Sequence, residues 1–155
     1  MSDAETRLEV VLTTDQRGGV AELAIAHAAA ELGAGVFKPL TDGERYDLIF
    51  DLRPELARVQ CKSAVLKESV VKVPCYSARR SRNGFVKRYY SASEIDAIAA
   101  YCIDLDRCFF IPVAEIPGRS CLQLRLEPCR NNQQLGVNWA KDFAFEARLT
   151  ALLGP

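Results

Sequence analysis

Asp47 interrupts Tyr46-Asp47-Leu48-Ile49-Phe50, an apolar and aromatic run of the kind that builds the inside of a β-sheet. A short loop later, Arg58-Val59-Gln60-Cys61-Lys62 sets an amide and an ammonium group into a second such run. Side chains on a strand alternate between faces, so Gln60 and Lys62 emerge on the same side. An acid, an amide and an amine on adjacent core strands cost desolvation free energy unless they hold something together. A divalent metal and a phosphate would offset that cost. These side chains, carried by neighbouring strands, are therefore expected to converge on a common pocket able to hold a cation.

The rest of the chain reads as ordinary globular protein. Its 155 residues, 49% hydrophobic and 26% charged, suffice for one domain over 1–155 with its own core. The longest apolar run, near Ile25 to Ala30, contains His27 and lies between Glu22 and Glu31, so no membrane span is expected. The acidic start, Met1-Ser2-Asp3-Ala4-Glu5, lacks the order of a signal peptide, and the expected location is the cytoplasm. The six cysteines show no Cys-x-x-Cys pair, which argues against zinc and for reduced packing residues such as Cys61 and Cys108.

Pattern and punctuation give a coarse map. An extension, 1–17, precedes a break at Gly18-Gly19; its Val10-Val11-Leu12 suits a strand or a helical turn. An Ala-rich helix over 20–32 follows, stopped by Gly33 and Gly35. Strands are expected over 36–40, 46–51, 56–63 and 69–76. Next comes a basic loop, 77–88, carrying Arg79, Arg80, Arg82, Lys87 and Arg88 without a single acid, and turning at Asn83-Gly84. A further strand over 85–90 would return from it. Ser91-Ala92-Ser93-Glu94 reads as a helix start, continued at helical spacing by Ile95, Ile98, Ala99 and Cys102. Strands over 108–113 and 120–126 and a closing helix over 137–153 complete an α+β chain, a central mixed β-sheet flanked by helices.

Phosphodiester hydrolysis needs an activated water and positive charge near the phosphate. Magnesium prefers oxygen ligands, commonly one or two carboxylates with waters. Asp47 offers a carboxylate, Gln60 an amide oxygen, and Lys62 a charge for the water or the phosphate. Glu22 shares a helix face with Ile25, Ala26 and Ala29 and could approach from above the sheet. Each has a plainer reading: Gln60 and Lys62 alone suit a solvent-facing strand edge, and a Glu early in a helix favours the dipole. Asp51 suits a strand end, Asp104 and Asp106 a turn, and His27 local packing. Tyr89 and Tyr90 could stack or touch the backbone, and suit strand packing at least as well.

The order Glu22, Tyr46-Asp47, Gln60-x-Lys62 on helix, strand and strand resembles the PD-(D/E)XK nucleases. The segments Gly19-x-x-x-Leu23, Arg45-Tyr46-Asp47-Leu48, Val59-Gln60-Cys61-Lys62-Ser63 and Ile95-Asp96-x-x-Ala99-x-Tyr101 are similar to its group I intron-associated homing branch. So are Asp104-x-Asp106-x-Cys108-Phe109-Phe110-Ile111-Pro112 and Leu124-Arg125-Leu126-Glu127-Pro128. The resemblance spans roughly 18–143 and implies a restriction-endonuclease-like fold. It implies a magnesium (Mg2+) site of Glu22, Asp47 and Gln60, with Lys62 completing the catalytic set. Tyr46 replaces the motif's Pro, and Gln60 replaces its usual acid and removes one negative charge. The implied activity is site-specific double-strand cleavage of DNA by a homodimer or homotetramer. Arg79, Arg80, Arg82, Lys87 and Arg88 would meet the DNA, and Trp139 and Phe143 a second subunit. A resolvase of branched DNA and a DNA-binding module with a decayed site are the rival expectations.

Overall fold

The computed structural model describes residues 10–116, 118 and 120–155. The chain enters through α1 (Thr14–Glu31), capped by a reciprocal pair: Gln16 N–H donates to the Thr13 hydroxyl, and Thr13 N–H to the Gln16 amide oxygen. The helix thus begins inside the stretch expected to be an extension, and Gly18-Gly19 lies within it rather than breaking it. A strong cap and an Ala-rich continuation outweigh two glycines, whose cost in a helix is about 1 kcal/mol each. Ala21, Ile25 and Ala29 form the buried stripe. Gly33, at φ +90°, ends the helix; its N–H donates to Ala30 O while Ala34 N–H donates to Ala29 O.

The strands are β1 (Gly35–Phe37), β2 (Leu48–Asp51), β3 (Leu56–Lys67), β4 (Val70–Pro74), β5 (Tyr76–Ser81), β6 (Gly84–Tyr89), β7 (Ala97–Cys102), β8 (Arg107–Pro112) and β9 (Cys121–Arg125). The long β3 is the hub of a seven-stranded mixed sheet. It pairs antiparallel with β2 over Leu56–Val59, parallel with β7 over Val59–Ala64, and antiparallel with β4 over Val65–Lys67. The order β1-β2-β3-β4-β9 runs through it, with β8 beyond β7.

The segment expected to be a helix after Ser91 is β7 instead. Glu94 N–H and Ile95 N–H both donate to Ser91 O, a single turn, and the chain then extends. Ala97 and Ala99 face one core, with α1 and Phe110; Ile98, Ala100 and Cys102 face a second, with Val71, Val73, Leu122 and Leu124. A strand buried on both faces is apolar throughout, so any period can be read into it. Asp96 fixes its entry: its carboxylate accepts from Arg58 N–H at 2.7 Å and from Arg58 Nε and Nη2 at 3.1 Å each.

The closing helix is also shorter than expected. Trp139 is extended and bridges to Arg125, Ala140–Phe143 forms a 3-10 turn, and Ala144 bridges to Phe109 before α2 (Phe145–Leu152) begins. Phe145 meets Phe50 and Phe110 edge-on at 6.2 and 6.1 Å between ring centroids, docking α2 on the sheet. Phe143 is buried in this chain's own core, so it cannot serve the subunit contact expected of it. Among the described residues no helix is long and apolar enough to cross a membrane.

Candidate active site

A notch in the sheet sits where β3 lacks a strand partner on one edge. The β2 ladder ends at Leu48 opposite Val59, and β4 takes over only at Val65. In between, Asp47 N–H still donates to Val59 O, and the Asp47 carboxylate then replaces the missing backbone: its Oδ2 accepts from Cys61 N–H at 2.9 Å. The ladder ends in a side chain, and that side chain is thereby aimed into the gap.

Glu22, from α1, lies close enough for its charge to act on Asp47. Lys38, just past β1, pairs with the Glu22 carboxylate, and Asp47 also feels its charge. Glu22, Lys38, Asp42, Glu44 and Asp47 line a cavity of about 230 Å3. Burial pushes the Asp47 carboxyl above the usual carboxylate range; Glu22 pushes the same way, while the Cys61 N–H, Lys62 and Lys38 oppose it. Desolvation and a second carboxylate both call for a cation.

Lys62 completes the set from β3. Its ammonium donates to Tyr76 O at 2.8 Å and stands 5.1 Å from the centroid of the Tyr90 ring. Burial lowers its affinity for the proton and Asp47 raises it. Gln60 is the least engaged residue. It shares the Lys62 face by strand alternation, yet the hydrogen bond found for it runs from its amide nitrogen to Cys61 O at 3.4 Å. The structure thus brings Glu22 and Lys62 within reach of the Asp47 charge and adds Lys38; among the described residues Gln60 makes no hydrogen bond to Asp47.

The donors fit a hard divalent ion. No three His, Cys, Asp or Glu side chains come together at ligating distance among the described residues, which suits zinc poorly. Magnesium needs only one or two carboxylates and keeps its waters, and Glu22 with Asp47 offers that set. Lys38 already supplies positive charge to both carboxylates.

The basic segment is a ribbon rather than a loop. β5 and β6 pair from Tyr76 with Tyr89 to Ser81 with Gly84, and Gly84 makes the turn at φ +109°. Every residue of β6 is exposed. Arg79 and Arg88 fall on one face with Ser77, Arg80 and Lys87 on the other with Tyr76, and Arg82 in the turn. Arg45 anchors the stem: its Nη1 donates to Ser77 Oγ at 2.7 Å and its Nη2 to Tyr89 O at 3.0 Å. Lys38, Arg45 and Tyr90 were not picked out from the sequence as site residues. Arg45 alone carried a signal there, two residues before Asp47 in a recognisable motif.

The sequence profile of the PD-(D/E)XK endonucleases matches residues 12–146. No curated protein gives a significant match. Among solved structures, that of a bacterial homing endonuclease, I-Ssp6803I, is similar at a TM-score of 0.74, with 28% sequence identity over 91% of this chain and 94% of that one. With the profile spanning most of its length, this chain belongs to the PD-(D/E)XK endonuclease family.

Proposed function

We propose that this endonuclease makes site-specific double-strand breaks in DNA with magnesium, as an intron-homing enzyme working as a homodimer or homotetramer. The observation that carries this reading is Asp47, held by Cys61 N–H at the end of an interrupted ladder, with Glu22 and Lys62 within reach of its charge. Glu22 and Asp47 would hold the ion, with Gln60 turning its amide oxygen toward it. When bound, magnesium activates water for attack and offsets charge on the phosphate. Asp47 would offer the ion its other oxygen, because Cys61 N–H already holds Oδ2. Lys62, half-buried and close to Asp47, donates to the scissile phosphate or orients the attacking water. Arg79, Arg80, Arg82, Lys87 and Arg88 take phosphates and base edges, since a two-stranded ribbon fits the major groove.

Asp47→Ala and Lys62→Ala are expected to abolish cleavage, each lowering the rate by about a hundredfold or more. Specific binding in a gel shift with calcium should persist in both. Wild-type cutting by either variant would sink the assignment.

A further inference from the structure

Tyr90 follows the last strand of the ribbon and is half-buried, with two cations over its ring. The Arg45 guanidinium lies 4.3 Å from its ring centroid and the Lys62 ammonium 5.1 Å. Like charges brought together this way repel, and the face of an aromatic ring is one of few neutral groups that attracts both. The hydrogen-bond acceptors of the two cations also belong to the ribbon stem. Lys62 donates to Tyr76 O, and Arg45 to Ser77 Oγ and Tyr89 O. The Arg45 Nε has no hydrogen-bond partner among the described residues, and lies 3.4 Å from a Glu94 carboxylate oxygen. Guanidinium and ammonium are thus held by the stem, while their backbones belong to the strand and segment that carry the candidate catalytic groups.

We propose that Tyr90 is a positioning residue: its ring holds Lys62 and Arg45 side by side, so that the stem of the basic ribbon aims the catalytic lysine. This rests on Lys62 acting in cleavage. β3 supplies the lysine but leaves four rotatable bonds free, and the ring and the Tyr76 carbonyl remove that freedom. A ribbon seated on DNA and a lysine aimed at the phosphate then become one event, because both depend on the same stem.

The first test needs no metal and no DNA. In protein labelled with 13C-lysine, the ε-methylene signal of Lys62, assigned by its loss in Lys62→Met, should be shifted upfield by the Tyr90 ring. It should move to the position of a solvated lysine in Tyr90→Leu and return toward the wild-type position in Tyr90→Phe. An unshifted Lys62 signal in the wild-type protein overturns the proposal whether or not Tyr90→Leu folds. The second test is single-turnover cleavage with magnesium, on a duplex recovered from a random library by its cutting. Tyr90→Leu should be slower by about tenfold or more, with affinity in calcium changed by less than about threefold, and Tyr90→Phe should recover most of the rate. Tyr90→Leu should cost nothing further in a Lys62→Met background, because it acts through that lysine. Full additivity, or a loss of binding in place of rate, overturns the positioning role. Wild-type cutting by Lys62→Met would instead overturn the catalytic reading of Lys62, leaving the spectroscopic result to stand by itself.

Discussion

Asp47 shows how a buried side chain proposed to hold a metal works against the fold that carries it. Its carboxyl is raised by burial and by Glu22, so the native state keeps that proton to higher pH than the unfolded chain does. The sign follows: stability from this group is greatest at acid pH and is lost as pH rises from the ordinary carboxylate range through the raised native value. Asp47→Asn keeps an acceptor for Cys61 N–H and removes the charge. In metal-free buffer at neutral pH it should therefore melt above the wild type, and the gap should close as pH falls toward about 4. Adding magnesium should raise the melting temperature of the wild type and leave the variant unmoved, because ligand binding to the native state alone stabilises it. A variant that melts below the wild type at neutral pH would show that Asp47 is a structural acid. Asp47 and Lys62 were legible because polar groups in apolar strands are conspicuous. Lys38 and Tyr90 were not, because a lysine after a short strand and a tyrosine beside another tyrosine look ordinary until the fold brings them to the notch.

Among the elements, α1 and the ribbon carry the clearest tests. Gly18 and Gly19 are exposed in the first turns of α1, and a Cβ added at either meets nothing within 4 Å. Replacing either with Ala should stabilise the protein by about 0.5–1 kcal/mol, raising its melting temperature by a few degrees. No gain would show that the conformational cost of these glycines is not expressed in this helix. On the ribbon, Arg79→Gln and Lys87→Gln should leave the melting temperature unchanged. Each should flatten the dependence of log affinity on log salt by about 0.9 for every phosphate that the ribbon then fails to neutralise. An unchanged slope would place the DNA elsewhere. Alternation exposed β4 in the sequence, where Val71 and Val73 are buried and Lys72 between them is not. The polar Arg58, Gln60 and Lys62 marked one face of β3. Alternation failed at β7, where two cores leave no polar face to set a period, and at 77–88, where a run of charge on both faces of a free-standing ribbon imitates a loop. The start of α1 was obscured by its glycines, although the Thr13–Gln16 cap was present in the sequence.

At the scale of the whole molecule, one chain offers one notch, and the two strands of a duplex run in opposite directions. A single rigid site that has cut one strand faces the wrong polarity for the other, whereas a second copy related by a twofold axis meets it correctly. The net charge of zero permits such self-association, since the basic ribbon is balanced by acids elsewhere in the chain and copies do not repel as a whole. If each copy cuts one strand, a mixed assembly with one disabled site must nick. Refolding wild-type chains together with an equal amount of Asp47→Ala should give assemblies of which about half are mixed in the simplest, dimeric case. On a supercoiled plasmid bearing the target, these should leave nicked circles that persist while the wild type alone carries its circles on to linear product. Preformed oligomers mixed without refolding serve as the control, and should nick only as fast as their subunits exchange. Linear product that merely falls in proportion to the diluted wild-type chain, with no nicked circles, would show that one notch cuts both strands in turn, and the paired arrangement would have to be abandoned.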